Sequence, residues 1–345
     1  MCHRHVTGIF LVPWSLRYRP NEFGSTSSLV LANPSPELEV HRPRQSHERT
    51  ANPLPYLRHA LPRHDFNRPE FMDNCSAPTT QPLPPQKIPK YVHFVFCLLP
   101  DCTFGLFEYL IISAAHHSIR PTRIFFHHLH SPPPTKWWNL AKTSFITDVR
   151  KVDDVTSIFG NPVDHFAHKA DVIRLQALQT WGGIYLDMDV VAIQSFDPLL
   201  HHSFVMGREG VPWERYTGLC NGVILSSPHS LFLKRWYNSY RSFDQSQWAY
   251  HSVALPLKLA NKHKEEICTL PPNAMFWPAY FANHVSFVHQ EEEYEFRNGR
   301  QYAYHVYHGG REYLEGLTVE KVREGKSSFL RLVKNFLPEG VGDEE

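Results

Sequence analysis

The sequence predicts an α/β protein: a mostly parallel, Rossmann-like sheet flanked by helices, behind a proline-rich segment expected to be disordered. Three observations carry this. Strand-like and helix-like stretches alternate from Ile88 onward, the strand-like runs are apolar on both faces, and half of the 28 prolines fall in the first 90 residues. Proline removes a backbone donor and blocks helix and sheet continuation, so 1–86 reads as a disordered tail or stalk without chemistry of its own. Residues 87–338 form the folded domain, and 339–345 a short acidic tail.

Each element has its own signal. Tyr91 to Phe96 is a short apolar, β-rich run after prolines, which predicts a buried strand. Phe104 to Ile119 predicts a helix, Arg123 to Phe126 a second strand, and Thr135 to Ser144 another helix. This alternation implies parallel strands with helices on both faces, and ligands bind such sheets beyond the carboxyl ends of the strands. Asp164 to Thr180 is the clearest helix. Phe166, Ala170, Ile173, Ala177 and Trp181 form one apolar stripe, Asp164 is the expected N-cap, and Gly182 supplies the stop. Asp171 and Arg174 share a different face, where the ordinary reading is a surface ion pair worth ~0.3–0.5 kcal/mol.

Composition removes several classes. With 35 Lys+Arg against 34 Asp+Glu, the net charge of +1 leaves no footprint for nucleic acid. Hydrophobic residues at 42% and charged residues at 20% exclude a wholly disordered chain. The 23 histidines would make the chain clearly positive in a mildly acidic compartment. No run reaches the ~20 apolar residues of a membrane-spanning helix. Val6 to Leu16 is short and contains Pro13, so the chain reads as soluble.

Chemistry concentrates in Gly182 to Ile193. Asp187 and Asp189 stand inside an aliphatic run that reads as one strand buried on both faces, where strand alternation would point both carboxylates the same way. Buried acids are costly unless a cation or donors compensate. Paired hard oxygens suit Mg²⁺ or Mn²⁺, and such an ion bridges to a diphosphate.

Ala170-Asp171-x-x-Arg174 followed by Trp181-Gly182-Gly183-Ile184-Tyr185-Leu186-Asp187-Met188-Asp189-Val190 resembles the Asp-x-Asp sugar-binding region of the family 32 glycosyltransferases. Ile88 to His93 resembles that family's opening strand, Cys220-Asn221-Gly222-Val223-Ile224 its asparagine-containing strand, and Tyr304-His305-Val306-Tyr307 its closing His-x-Trp segment, with Tyr307 in place of Trp. The resemblance spans Ile88 to about Glu312. It implies a GT-A catalytic domain that transfers a hexose, with retention, from UDP-hexose or GDP-mannose to a glycan or glycolipid acceptor. It implies that Asp187 and Asp189 are catalytic and hold Mn²⁺ (or Mg²⁺), with His305 as third ligand and His308 as a weaker substitute. Asp171, Arg174, Tyr185 and Asn221 would bind the donor. It also implies the Golgi lumen or a Golgi membrane association, although the membrane anchor typical of Golgi members is missing from the sequence. Trp213, Trp248 and His251 are acceptor-side candidates for which packing is the plainer explanation.

Two other functional readings exist. Asp187-Met188-Asp189-Val190-Val191 also fits the opening of haloacid-dehalogenase-type phosphatases, with Asp187 as nucleophile, but the downstream acids are isolated. A non-catalytic sugar-binding relative would not need the intact acids. Outside this region, His116-His117, His127-His128-x-His130 and His201-His202 lack zinc-site spacing. Cys97 with Cys102, and Cys220 with Cys268, are candidate disulfides in an oxidising lumen, with buried free thiols as the alternative.

Overall fold

The computed structural model describes residues 75, 87–211, 214–291, 293–296 and 301–341. They all fall within the contact-dense unit Ala60–Glu345. Apart from Cys75, the proline-rich segment lies outside the described residues, as do Trp213 and the last four residues of the acidic tail.

The elements run β1 (Tyr91–Val95), α1 (Leu106–Ile119), β2 (Arg123–His128), α2 (Lys136–Ser144), β3 (Asp148–Lys151), a small hairpin of β4 (Ser157–Ile158) and β5 (Asn161–Pro162), then α3 (Phe166–Trp181). After these come β6 (Gly183–Leu186), β7 (Val190–Ala192), β8 (Phe204–Val211), β9 (Glu214–Ser226), α4 (Leu231–Ser239), α5 (Leu255–Lys262) and β10 (Cys268–Leu270). The last are α6 (Pro272–Met275), α7 (Ala282–Gln290), β11 (Ala303–His305), α8 (Tyr307–Arg311), α9 (Val319–Glu324) and α10 (Ser328–Val333).

Seven strands form one sheet in the order β10-β8-β9-β6-β1-β2-β3. β9 runs against both of its neighbours, and the remaining pairs are parallel. Strand alternation sorts the core onto two faces. Val92, Phe94, Ile124, Phe126, Ile184 and Leu186 pack with α1 on one side. Val95, Tyr185, Met206 and Ile224 pack with α3 and α4 on the other. The first two helices follow the sequence closely. The Gly105 N–H is held by Glu108 Oε2 at 2.9 Å before α1, and Thr135 Oγ1 caps α2 by accepting from the Trp138 N–H at 3.1 Å.

Three expectations change. The N-cap of α3 falls one residue later than expected, at His165, whose ring accepts from the Ala167 N–H at 3.1 Å. Its buried surface is wider than the expected stripe: Ile173 and Ala177 are buried and Ala170 and Trp181 half-buried, Phe166 is 44% exposed, and His168, Asp171, Val172, Arg174, Leu175 and Leu178 are buried as well. Asp171 and Arg174 therefore belong to the interior and form no surface ion pair. The expected single strand through Asp187 and Asp189 is two strands. β6 ends at Leu186, the chain turns, and β7 leaves the main sheet to pair antiparallel with β11.

The cysteines also differ. Cys97 and Cys102 are bridged as expected, but Cys268 is bonded to Cys75 and Cys220 is a buried free thiol. The segment read as a spacer is thus covalently held at Cys75, which packs against the core.

Candidate active site

Two glycines turn the chain from α3 into β6. Gly182 has φ +64° and a Cβ there would stand 2.6 Å from Pro228 Cδ; Gly183 has φ +114° and a Cβ would stand 2.8 Å from the Tyr91 carbonyl oxygen. Only glycine accepts both the left-handed backbone and the close approach. The turn that follows β6 is fixed on both sides. The Asp187 N–H donates to the Gly222 carbonyl of β9 at 2.9 Å, and the Val190 N–H donates to the Asp187 carbonyl at 3.0 Å. Beyond the turn, the Val306 N–H donates to the Asp189 carbonyl at 2.8 Å, and the register of β11 sets His305 opposite Val190. The two acids therefore converge through a turn at the carboxyl end of β6, and His305 arrives from a strand more than a hundred residues later.

Asp187, Asp189 and His305 each offer a ligand atom within 4.8 Å of one another. His305 Nε2 is 3.1 Å from Asp189 Oδ1, and Arg311 Nε is 3.9 Å from Asp189 Oδ2. Burial works to raise the Asp189 carboxyl, but His305 and then Arg311 outweigh it and hold it well below the ordinary carboxylate range. For His305 burial works to lower the imidazole, and Asp189 then raises it above its ordinary value. His308 is exposed and lies outside this group.

Behind the acids stands a buried polar frame. Arg174, 5% exposed, puts Nη1 at 3.0 Å from Asp187 Oδ1 and Nη2 at 3.3 Å from Asp171 Oδ1. Nη1 also donates to the Asn221 carbonyl at 2.8 Å and Nε to the Ala170 carbonyl at 3.2 Å. Asn221 Nδ2 donates to Asp171 Oδ1, and the Tyr185 hydroxyl to Asp187 Oδ1, both at 2.6 Å. The guanidinium lies 4.4 Å over the Tyr185 ring. Burial opposes the charge on Arg174, yet Asp187 first, then Tyr185 and Asp171, hold it above its ordinary value. Gly222 completes the wall: a Cβ there would come within 3.1 Å of Asp187 Oδ2 and 3.3 Å of His305 Cε1.

All the expected site residues thus meet: Asp171, Arg174, Tyr185, Asp187, Asp189, Asn221 and His305. Two neighbours were not expected. His168 Nδ1 is 3.5 Å from Asp171 Oδ2, and its position one helical turn before Asp171 was a usable signal. Arg311 carried none, because only the fold of β11 and α8 brings it to Asp189. Of the acceptor-side candidates, His251 is buried against Tyr240 and Phe243, whereas Trp248 is 36% exposed.

Residues 89–205 match the glycosyltransferase sugar-binding region containing a DXD motif. The chain is 37% identical over 281 residues to glucan organizing enzyme 1 of Cryptococcus neoformans var. grubii serotype A, covering 77% of this chain and 75% of that protein. Among solved structures, the apo form of the glycosyltransferase GlyE of Streptococcus pneumoniae TIGR4 is 11% identical, with a TM-score of 0.39 over 63% of this chain and 54% of that one. The galactosyltransferase LgtC is 18% identical, with a TM-score of 0.33 over 55% of this chain and 76% of that one. The match over residues 89–205 assigns the acid pair to a glycosyltransferase region and not to the phosphatase reading. On its sequence kinship, the chain belongs to the glycosyltransferases whose sugar-binding region contains a DXD motif.

Proposed function

We propose that this glycosyltransferase moves a hexose, with retention, from UDP-hexose or GDP-mannose to a glycan or glycolipid acceptor. The observation that carries the reading is the wiring of Arg174 to both Asp171 and the acidic turn, beside His305. The donor set fits Mn²⁺ or Mg²⁺: two carboxylates and an imidazole suit a small divalent ion better than Ca²⁺, which wants more oxygens. Among the described residues, His305 Nδ1 is buried without a hydrogen-bond partner, while Nε2 faces Asp189. Asp187, Asp189 and His305 would hold the ion, which when bound supplies a Lewis acid against the charge of the departing diphosphate.

The chain's own groups do the rest. Asp171 accepts from hexose hydroxyls, and Asn221 keeps its carboxylate turned toward them. Most of the Arg174 fork is engaged inside the protein, so it fixes Asp171 and Asp187 relative to each other and offers what remains to the donor. Burial holds the Tyr185 phenol far above its ordinary value, so it stays a neutral donor to Asp187. No side chain is assigned as nucleophile, because a same-face displacement retains configuration with the leaving phosphate assisting acceptor deprotonation. The catalytic domain would span 87–338. An oxidising Golgi lumen suits the bridges Cys75–Cys268 and Cys97–Cys102. No helix among the described residues is long and apolar enough to cross a membrane.

The test is a hydrolysis screen of UDP-glucose, UDP-galactose, UDP-N-acetylglucosamine and GDP-mannose in Mn²⁺. At least one donor is expected to be cleaved. Cleavage of none of them, with turnover of a simple phosphate monoester instead, would contradict the reading.

A further inference from the structure

The buried frame has an outer end. His168 touches Asp171 on one side, and Trp248 covers its ring on the other, with 5.0 Å between centroids. Trp248 also meets His165 edge-on at 4.7 Å, and His165 lies against Phe166 at 4.5 Å. Trp248 and Phe166 stay 36% and 44% exposed, so two large aromatic side chains stand in solvent beside a polar site.

The loop that carries Trp248 is built to hold it there. Asp244 Oδ1 accepts from the Ser246 N–H and hydroxyl at 3.0 and 2.7 Å, and Oδ2 accepts from Gln247 Nε2 at 2.9 Å. Gln245 exchanges two bonds with Asp164 just ahead of α3: its Oε1 accepts from the Asp164 N–H at 3.1 Å and its Nε2 donates to Asp164 Oδ2 at 2.8 Å. Trp248 is thereby fixed against the start of α3 with part of its surface open.

We propose that Trp248, with His165 and Phe166, is a platform for a pyranose ring of the acceptor. This rests on the transferase reading of the neighbouring site. A pyranose presents C–H bonds on its faces and hydroxyls at its rim, so it lies flat on the electron-rich face of an aromatic ring while its edge stays hydrogen-bonded. Position selects the acceptor over the donor. From the acidic turn the contacts run Asp187, Arg174, Asp171, His168, Trp248; the three middle residues are 3–6% exposed, and the run opens to solvent again at Trp248, which is 36% exposed. A donor hexose, tied to its diphosphate at the acidic turn, fills the buried end at Asp171. The next ring outward meets Trp248.

The experiment uses the full chain, Mn²⁺ and whichever donor the screen identifies, with methyl glycosides of mannose, galactose and glucose as acceptor probes. Trp248→Ala is expected to raise the KM for the accepted glycoside about tenfold or more, leaving the donor KM near that of the wild type. Trp248→Phe should restore most of the loss, because it keeps a ring face. Phe166→Ala, on the solvent side, should move the acceptor KM in the same direction by less. An unchanged acceptor KM in Trp248→Ala overturns the platform, as does an equal rise in both KM values. Transfer to none of the three probes overturns it too, since a platform for a bare pyranose must accept one. A wild-type chain that cleaves no donor contradicts the transferase reading itself.

Discussion

Arg174 is where the buried polar frame and the acidic turn are joined, through Asp171 at 3.3 Å and Asp187 at 3.0 Å. A buried pair that loses one partner leaves the other charge desolvated, a cost of about 3–5 kcal/mol. Arg174→Ala should therefore lower the melting temperature sharply as well as abolish donor binding. Arg174→Lys keeps the charge but not the fork, so it should fold and bind donor about ten- to a hundredfold more weakly. Thermal melts and titration with donor check both variants. A melt of Arg174→Ala at the wild-type temperature would return the residue to the surface role that spacing alone suggested.

At the scale of elements, the passage from α3 to β6 depends on Gly183, whose φ of +114° and approach to the Tyr91 carbonyl leave no room for a methyl group. Gly183→Ala should cost about 2 kcal/mol or more, read as a lower midpoint in urea. An unchanged midpoint would mean that the turn is not closed as described. Much of this architecture is legible in the sequence because it is local: apolar runs for β1, β2 and β6, a capped periodic stretch for α3, a glycine stop. The failures have a common cause. Which face of α3 is buried depends on what packs on it, and the frame around Asp171 and Arg174 recruits the polar face while Phe166 stays outside. The aliphatic run through Asp187 and Asp189 hides a turn, since β7 satisfies its backbone with β11, a partner no local pattern discloses. Cys268 likewise finds Cys75, not Cys220, because pairing follows the fold.

The whole molecule carries its histidines differently from their count. Burial pushes His93 down from 6.5 to about 3 and His127 down to about 4. His93 Nδ1 and His127 Nε2 are 3.1 Å apart, and His93 Nε2 meets the Gly182 carbonyl at 2.9 Å. The folded chain keeps both neutral while the unfolded chain takes up protons below pH 6.5. Their stabilisation is complete above that value and is lost as pH falls toward 4 and 3. At pH 5 each should cost about 2 kcal/mol, so the urea midpoint should fall between pH 7 and pH 5, and equal midpoints would contradict the buried stack. The charge gained in mild acid is correspondingly smaller than 23 histidines suggest. The bridge between Cys75 and Cys268 sets the limit of truncation. Removing 1–59 should leave donor hydrolysis within a few-fold, whereas removing 1–86 should also cost about 2–4 kcal/mol of stability, measured by denaturation of the two shortened chains. On the proposed function, the turn between β6 and β7, with His305, holds a divalent ion for glycosyl transfer. Donor hydrolysis in excess chelator, followed by titration of Mn²⁺ into the wild type and Asp189→Asn, tests it most directly. The expected result is no turnover with chelator, recovery with Mn²⁺ better than with Ca²⁺, and a right-shifted, partial recovery in Asp189→Asn. Full turnover in excess chelator would contradict it.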